Sequence, residues 1–236
     1  MPPLSRQERR DLLANTPLFS SLSGMELDGL VDAARPQSVK VREEIFHKGD
    51  ESLQVYLIAS GSLKALTTSA DGDDVVFSIL GEGELIGEIG LLGGTTRTAT
   101  VIAITPAELL VIDRRDFLSF LKRHPEASIK LMGVLALRLK RVSELVEDTL
   151  FLNLPVRLAK KIVNYADTYG EQTPEGLRIM LKLSQEEWGD LVGATRESVN
   201  KQLRSWFDQG LISTDHGYIL IHRFEELEEL AGCMIS

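Results

Sequence analysis

The chain reads as an α+β protein in three parts, an N-terminal β-roll, one long helix and a C-terminal winged helix-turn-helix, and three observations lead there. Between Val39 and Ile112 short runs rich in Val, Ile, Leu and Thr alternate with turn signals, the texture of an all-β sandwich or barrel. From Pro125 to Asn153 apolar residues recur every three and four positions without interruption. Beyond Ser184 two short helical patterns meet at Gly193 and lead into a hairpin pattern.

The first segment, Ser5 to Ala34, has helical spacing broken at Thr16-Pro17 and Ser23-Gly24, which predicts two or three short helices. Their buried faces are Leu12, Leu13, Leu18, Phe19, Leu22, Leu27 and Leu30. The strand runs that follow are VYLIAS, SLKALTT, DVVFSIL, TATVIAI and ELLVI. Turns between them are expected at Lys48-Gly49-Asp50, Ser60-Gly61, Asp71-Gly72-Asp73, Gly81-Glu82-Gly83 and Gly93-Gly94, giving a compact antiparallel β-roll.

On the long helix, Met132, Leu135, Leu139, Val142 and Val146 alternate between a and d positions, flanked by Arg138, Lys140, Arg141, Glu144 and Glu147. The stripe fits either a parallel dimer seam or packing on the helix's own domain. Asn153-Leu154-Pro155 ends this helix and caps the next, since Asn is a good N-cap and proline is tolerated in a first turn. Asn153 is therefore a candidate hinge. The turn-rich GEQTPEG stretch from Gly170 to Gly176 then leads into an expected strand, LRIMLKL.

Ser184 and Glu187 form a capping box for the first helix of the pair, and Thr195 is an N-cap for the second. With Val199, Leu203 and Trp206 on the inner side, helical periodicity collects Arg196, Glu197, Asn200, Lys201 and Arg204 on the outer side. A recognition helix reads base edges from its first turns, where arginine bonds guanine O6 and N7 and a carboxylate accepts from cytosine N4. A plain solvated face explains the charges alone; the two caps, the Gly193 turn and a hairpin turning at His216-Gly217 favour the winged helix-turn-helix. From Arg178 to Arg204 five cations face four anions, so DNA affinity should be modest and steeply salt-dependent.

The β-roll carries a second motif, GELIGEIGLLGGTTRTATV, from Gly83 to Val101. Glu88 and, nine positions on, Arg97 can hold a phosphorylated ribose, the carboxylate accepting from a sugar hydroxyl and the guanidinium pairing with phosphate. Backbone N–H groups near Gly87 and Thr98 would complete an anion nest. The competing reading is a glycine-containing turn with an exposed Glu88–Arg97 ion pair. The stretch matches neither a Rossmann fingerprint nor a P-loop, and no HExxH or nucleophile elbow occurs, so an enzyme is not expected.

The 236 residues carry a net charge of −9, which argues against general coating of nucleic acid but leaves local DNA binding open. Cys233 is the only cysteine, so neither a disulfide framework nor a zinc or iron–sulfur cluster is expected; His47 fits a turn better than a haem ligand. With no apolar run near eighteen residues and no short apolar segment after MPPLSRQERR, we expect no membrane association and a cytoplasmic protein.

These elements in this order resemble the bacterial cyclic-AMP receptor protein and fumarate-nitrate reduction regulator (CRP/FNR) family over nearly the whole chain. Gly87-Glu88-Ile89-Gly90-Leu91-Leu92 with Arg97-Thr98-Ala99 is similar to its cyclic-nucleotide phosphate-binding cassette, and Thr195-Arg196-Glu197-Ser198-Val199 to its recognition helix. The resemblance implies that Glu88 holds the ribose 2′-OH, that Arg97 and Thr98 bind the cyclic phosphate, that Gly87 supplies a backbone contact with Ile89 beside it, and that Ser143 reaches the base across a dimer interface. Val142 stands where the family pattern has a threonine that contacts adenine, and Thr98 resembles an arrangement that favours cGMP, so cAMP binding with substantial cGMP binding is expected. Lys201 replaces an arginine, which loosens base discrimination at a TGTGA-like half-site. The oxygen-sensing branch's cysteines are missing.

The expectation is thus a homodimeric, cyclic-nucleotide-activated transcription regulator with double-stranded DNA and RNA polymerase as partners. Residues 1–125 form the cyclic-nucleotide-binding sensor, 126–152 the dimerisation helix, and 153–236 the winged helix-turn-helix, with cAMP or cGMP the allosteric ligand and no metal. The alternatives are a regulator of this type that needs no ligand or answers another effector, and a nucleotide module that controls another protein.

Overall fold

A computed structural model of the chain describes residues 4–20, 22–69, 72 and 74–232. Cys233, and Asp71 and Asp73 of one expected turn, lie outside them. The chain falls into two compact units that divide between Lys140 and Arg141.

In the first unit, α1 (Arg6–Asn15) and α2 (Gly24–Ala33) each start at a capping box, Ser5 with Glu8 and Ser23 with Glu26. There follow β1 (Arg35–Val39), β2 (Glu44–Phe46), β3 (Gln54–Ser60), β4 (Leu63–Thr68), β5 (Asp74–Leu80), β6 (Leu85–Ile86), the short helix α3 (Glu88–Gly93), β7 (Thr100–Ala103), β8 (Ala107–Asp113), α4 (Arg114–Arg123) and α5 (Pro125–Phe151). The strands form two antiparallel sheets in the orders β1-β8-β3-β6 and β2-β7-β4-β5.

Period-two alternation explains why β3 and β8 read as nearly continuous apolar runs: both faces of their sheet are covered. Val55, Leu57, Leu110 and Ile112 point to a core completed by Leu13, Phe19, Val31, Phe117, Phe120 and Leu131 of the helices. Tyr56, Ile58, Leu109 and Val111 point to the other core, which the second sheet closes with Leu63, Leu80, Val101 and Ala103. Each such leucine or isoleucine contributes about 1.5–3 kcal/mol by leaving water. The second sheet's outer face is wetter, and Val75 and Phe77 of β5 are each 39% exposed there.

Four local features depart from the sequence reading, the last being the shortening of the strand expected at LRIMLKL. Strand structure begins at Arg35 rather than Val39, and Pro36 is tolerated because β1 is an edge strand. A six-residue helix, α3, occupies the glycine-rich loop, too short to leave a periodic signature. The third departure lies in the second unit, where Gly170–Thr173 pairs as a strand although its composition reads as a turn.

The second unit comprises α6 (Leu154–Tyr169), β9 (Gly170–Thr173), β10 (Gly176–Ile179), α7 (Gln185–Val192), α8 (Arg196–Asp208), β11 (Ile212–Asp215), β12 (Tyr218–Ile221) and α9 (Phe224–Leu230), besides the end of α5. Its sheet runs β11-β12-β10-β9. Of the expected strand LRIMLKL only the start lies in β10; Leu181 and Leu183 are buried beyond its end. Asn153 caps α6, its Oδ1 accepting from the Val156 N–H at 3.2 Å, and the Lys160 ammonium meets Asp148 at 2.7 Å. The acidic stretch Glu225 to Glu229 belongs to α9, which buries Leu227 completely.

Candidate functional site

The glycine-rich motif is shaped by two close approaches. Gly87, between β6 and α3, has φ +81°, and a Cβ there would stand 2.3 Å from an Arg97 nitrogen. At Gly90 a Cβ would stand 2.3 Å from Ser52 Oγ and 2.4 Å from the Thr96 carbonyl. Only glycine lets α3 lie this close to the Arg97 segment. Arg97 is pinned by its backbone, donating to the Asp50 carbonyl at 2.8 Å and accepting from Gly49 at 3.0 Å. Its side chain is 4% exposed, donates from Nη1 to the Gly87 carbonyl at 2.9 Å, and lies 4.2 Å from the Phe46 ring centroid and 5.6 Å from that of Tyr56.

Glu88 is 1% exposed. Its Oε1 accepts from Arg138 Nη1, while Arg138 Nη2 donates to the Leu85 carbonyl at 2.6 Å and lies 4.0 Å from Glu84. Glu88 and Arg97 are therefore not an exposed ion pair; each is buried, and the carboxylate is held from α5. Among the described residues six buried side-chain atoms have no partner in the protein, and Glu88 Oε2 and Arg97 Nε are two of them, with Ser52 Oγ, close to Gly90, a third. An acceptor and a donor left without partners inside a fold cost free energy unless something supplies the missing bonds. Burial lowers the Arg97 pKa, opposed mainly by Tyr56, whose own pKa burial raises.

Ile89, 48% exposed, and Thr98, also exposed, lie in the same unit as Gly87, Glu88 and Arg97. Val142, 44% exposed, and Ser143, likewise exposed, lie on α5 past Lys140 and so in the second unit. Sequence reasoning missed Arg138 and Phe46. Arg138 was readable only as a charged flank of the apolar stripe, and Phe46 lies outside the strand runs that the sequence displays. Among the described residues no group of three His, Cys, Asp or Glu side chains could hold a metal ion, and no helix is long and apolar enough to cross a membrane.

In the second unit Ser184 Oγ accepts from Glu187 N–H at 3.2 Å, completing the capping box of α7. Gly193 (φ +63°) ends that helix in the left-handed region, and Thr195 Oγ1 caps α8 by accepting from Ser198 N–H at 3.3 Å. A Cβ on Gly189 would meet the Ala194 carbonyl at 2.5 Å, so the turn packs directly on α7. Val199, Leu203 and Trp206 are buried. Thr195, Arg196, Glu197, Asn200, Lys201 and Arg204 are exposed, with Asn200 Oδ1 accepting from Gln185 Nε2 at 3.0 Å. The Arg157 guanidinium donates to the Val192 carbonyl at 3.0 Å, the Leu152 carbonyl at 2.9 Å and the Gly193 carbonyl at 3.5 Å. The β11–β12 hairpin turns at His216 (φ +49°) and Gly217 (φ +90°), positive at both central residues as a tight two-residue hairpin requires.

Residues 36–124 match the family model of the cyclic nucleotide-binding domain, and residues 156–230 that of the Crp-like helix-turn-helix domain. A CRP-like cAMP-activated global transcriptional regulator of Mycobacterium tuberculosis is 30% identical over 221 residues, covering 94% of this chain and 99% of that protein. The chain belongs to the CRP/FNR family of transcription regulators. The cAMP-activated global transcriptional regulator CRP of Salmonella typhimurium is 32% identical over 182 residues, 76% of this CRP/FNR member and 85% of the relative. The solved structure of the c-di-GMP responsive global regulator CLP of Xanthomonas campestris shares the fold, with TM-score 0.74 and 23% identity over 85% of this chain and 99% of the other. Both matched domains and these relatives make this CRP/FNR chain a DNA-binding regulator rather than an enzyme.

Proposed function

We propose that this CRP/FNR member is a homodimer switched by a cyclic nucleotide, with residues 1–125 as sensor, 126–152 as dimerisation helix and 153–236 as the DNA-binding part. The observation that carries the ligand reading is the pair of orphaned buried atoms, Glu88 Oε2 and Arg97 Nε. A ribose hydroxyl donating to the first and a phosphate oxygen accepting from the second would supply both missing bonds. Gly87, Ile89 and Thr98 complete the cassette, and Ser143 of the other subunit reaches the base across the dimer interface, with Val142 at the preceding base-contact position.

The M. tuberculosis and S. typhimurium relatives are cAMP-activated, which supports cAMP as ligand. Val142 offers no hydrogen bond to an adenine amino group and the exposed Thr98 hydroxyl is free to turn toward a guanine, so cGMP binds substantially as well. Dimerisation is supported by the stripe on α5. Met132, Leu139, Val142 and Val146 are 44–68% exposed, whereas Leu135 packs on its own unit's core. Ligand binding favours the state in which two α8 helices enter successive major grooves about 34 Å apart. Arg196 and Glu197 read the bases of a palindromic TGTGA-like site, Lys201 adds a guanine or phosphate contact one turn on, and Thr195 and Asn200 lie beside them. RNA polymerase is the partner at the promoter, and the protein acts in the cytoplasm.

The test is fluorescence anisotropy of a labelled TGTGA-N6-TCACA duplex titrated with protein at fixed salt, without nucleotide, with cAMP and with cGMP. Tight binding only with nucleotide is the expected result. Equal binding in all three conditions would mean a regulator that needs no ligand or answers another effector, and none in any would return the C-terminal helices to a protein partner.

A further inference from the structure

Burying a guanidinium without a counter-ion is costly, and the common remedy is a carboxylate. The two carboxylates that act on Arg97 are committed elsewhere. Glu88 Oε1 accepts from Arg138, and Asp50 Oδ2 accepts from the His47 N–H at 2.8 Å, Asp50 giving Arg97 only its main-chain carbonyl. Among the described residues no carboxylate forms an ion pair with Arg97. Instead the guanidinium lies over the face of Phe46, with Tyr56 second in reach.

We propose that Phe46 is a positioning residue for the ligand site. Its ring face holds the buried Arg97 guanidinium charged and aimed without an ion pair, so that it can pair with a singly negative phosphodiester. The inference rests on the cyclic-nucleotide reading of the site. A carboxylate in the same place would accept the guanidinium's N–H bonds and compete with phosphate; a ring face attracts the cation through its quadrupole and accepts none of them. Nη1 donates to the Gly87 carbonyl, and Nε keeps no partner in the protein.

The local structure aims the ring. On β2 two residues, Glu44 to Phe46, oppose the single step from Ile102 to Val101 on β7, a bulge of the kind that redirects a side chain. The companion ring is fixed as well: Tyr56 OH donates to Gln54 Oε1 at 3.0 Å, and Gln54 Nε2 donates to Asp113 at 3.0 Å. The two ring centroids lie 5.7 Å apart at 34°, so the cation rests on a pair of faces belonging to both sheets.

The decisive experiment changes the ring's electronics and not its shape. Phe46 is replaced in the full-length protein by 4-fluoro-, 3,5-difluoro- and 3,4,5-trifluorophenylalanine, and each protein is titrated with cAMP by calorimetry. Affinity should fall stepwise by about tenfold in total, with a smaller stepwise fall in Tm and every protein still folded at the assay temperature; Phe46→Tyr should bind like the parent, and Phe46→Leu should lose about as much as the trifluoro protein. A flat fluorination series overturns the proposal. Arg97→Ala separates the two levels. If it binds cAMP as the parent does, the site reading itself falls and the platform with it; if it loses binding while the fluorinated series stays flat, the platform alone falls.

Discussion

At the scale of single residues, the sensor depends on close approaches that the side chains of other residues would block. Gly87→Ala adds strain twice, by placing an L residue at φ +81° and by pressing a methyl against the Arg97 guanidinium. It should destabilise the fold by about 1–2 kcal/mol and weaken cyclic-nucleotide binding beyond what stability explains, as calorimetry beside thermal melts will show. Arg97→Ala should abolish nucleotide-dependent DNA binding in the anisotropy assay while leaving the basal, nucleotide-free affinity near the parent's. On the DNA side, Arg196→Ala should cost about 1–3 kcal/mol and relax preference at one base pair, whereas Lys201→Ala, if its ammonium contacts phosphate, should reduce the salt slope by about one. Titrations on duplexes altered one base pair at a time, each at several salt concentrations, distinguish the two behaviours.

At the scale of elements, the caps and turns make separable contributions. Asn153→Ala removes the cap of α6 and should cost about 1 kcal/mol in denaturant unfolding. Gly189→Ala drives a methyl into the Ala194 carbonyl, so the turn between α7 and α8 must shift and DNA affinity should fall with cAMP binding intact. The capping box at α2 predicts a pH effect: the Ser23 hydroxyl and N–H hold the Glu26 carboxyl below its ordinary value. Near and below the ordinary carboxylate range the unfolded chain binds more protons than the folded one, so the box's contribution is present above that range and lost as pH falls through the lowered value. Ser23→Ala should flatten that acid-side decline in melting curves.

Much of this architecture is legible in the sequence, and the reasons are physical. β3 and β8 are buried on both faces, which writes an apolar run into the chain, and α7 and α8 carry caps at both starts. What escaped reading was set by partners distant in sequence. β9 is a strand because β10 pairs with it, and Arg138 belongs to the site because the fold brings Glu88 to it across fifty residues. Phe46 escaped for the same reason, since nothing in IFHKG announces a guanidinium overhead.

At the scale of the whole molecule, the apolar stripe on α5 makes oligomeric state the critical variable. Val146→Glu should shift sedimentation toward the monomer and weaken DNA binding steeply, because each half then loses the effective concentration supplied by the other. Within the second unit, Arg157 ties the carbonyl of Leu152, just before the α6 cap, to those of Val192 and Gly193, just before α8. These bonds use only main-chain oxygens as acceptors, and the exposed outer face of α8 contributes none of them. The exposed face of α8 and the linkage that holds its start therefore draw on disjoint atoms. Exchanging residues on that outer face should leave all three Arg157 bonds, and thermal stability with them, as they are in the parent protein.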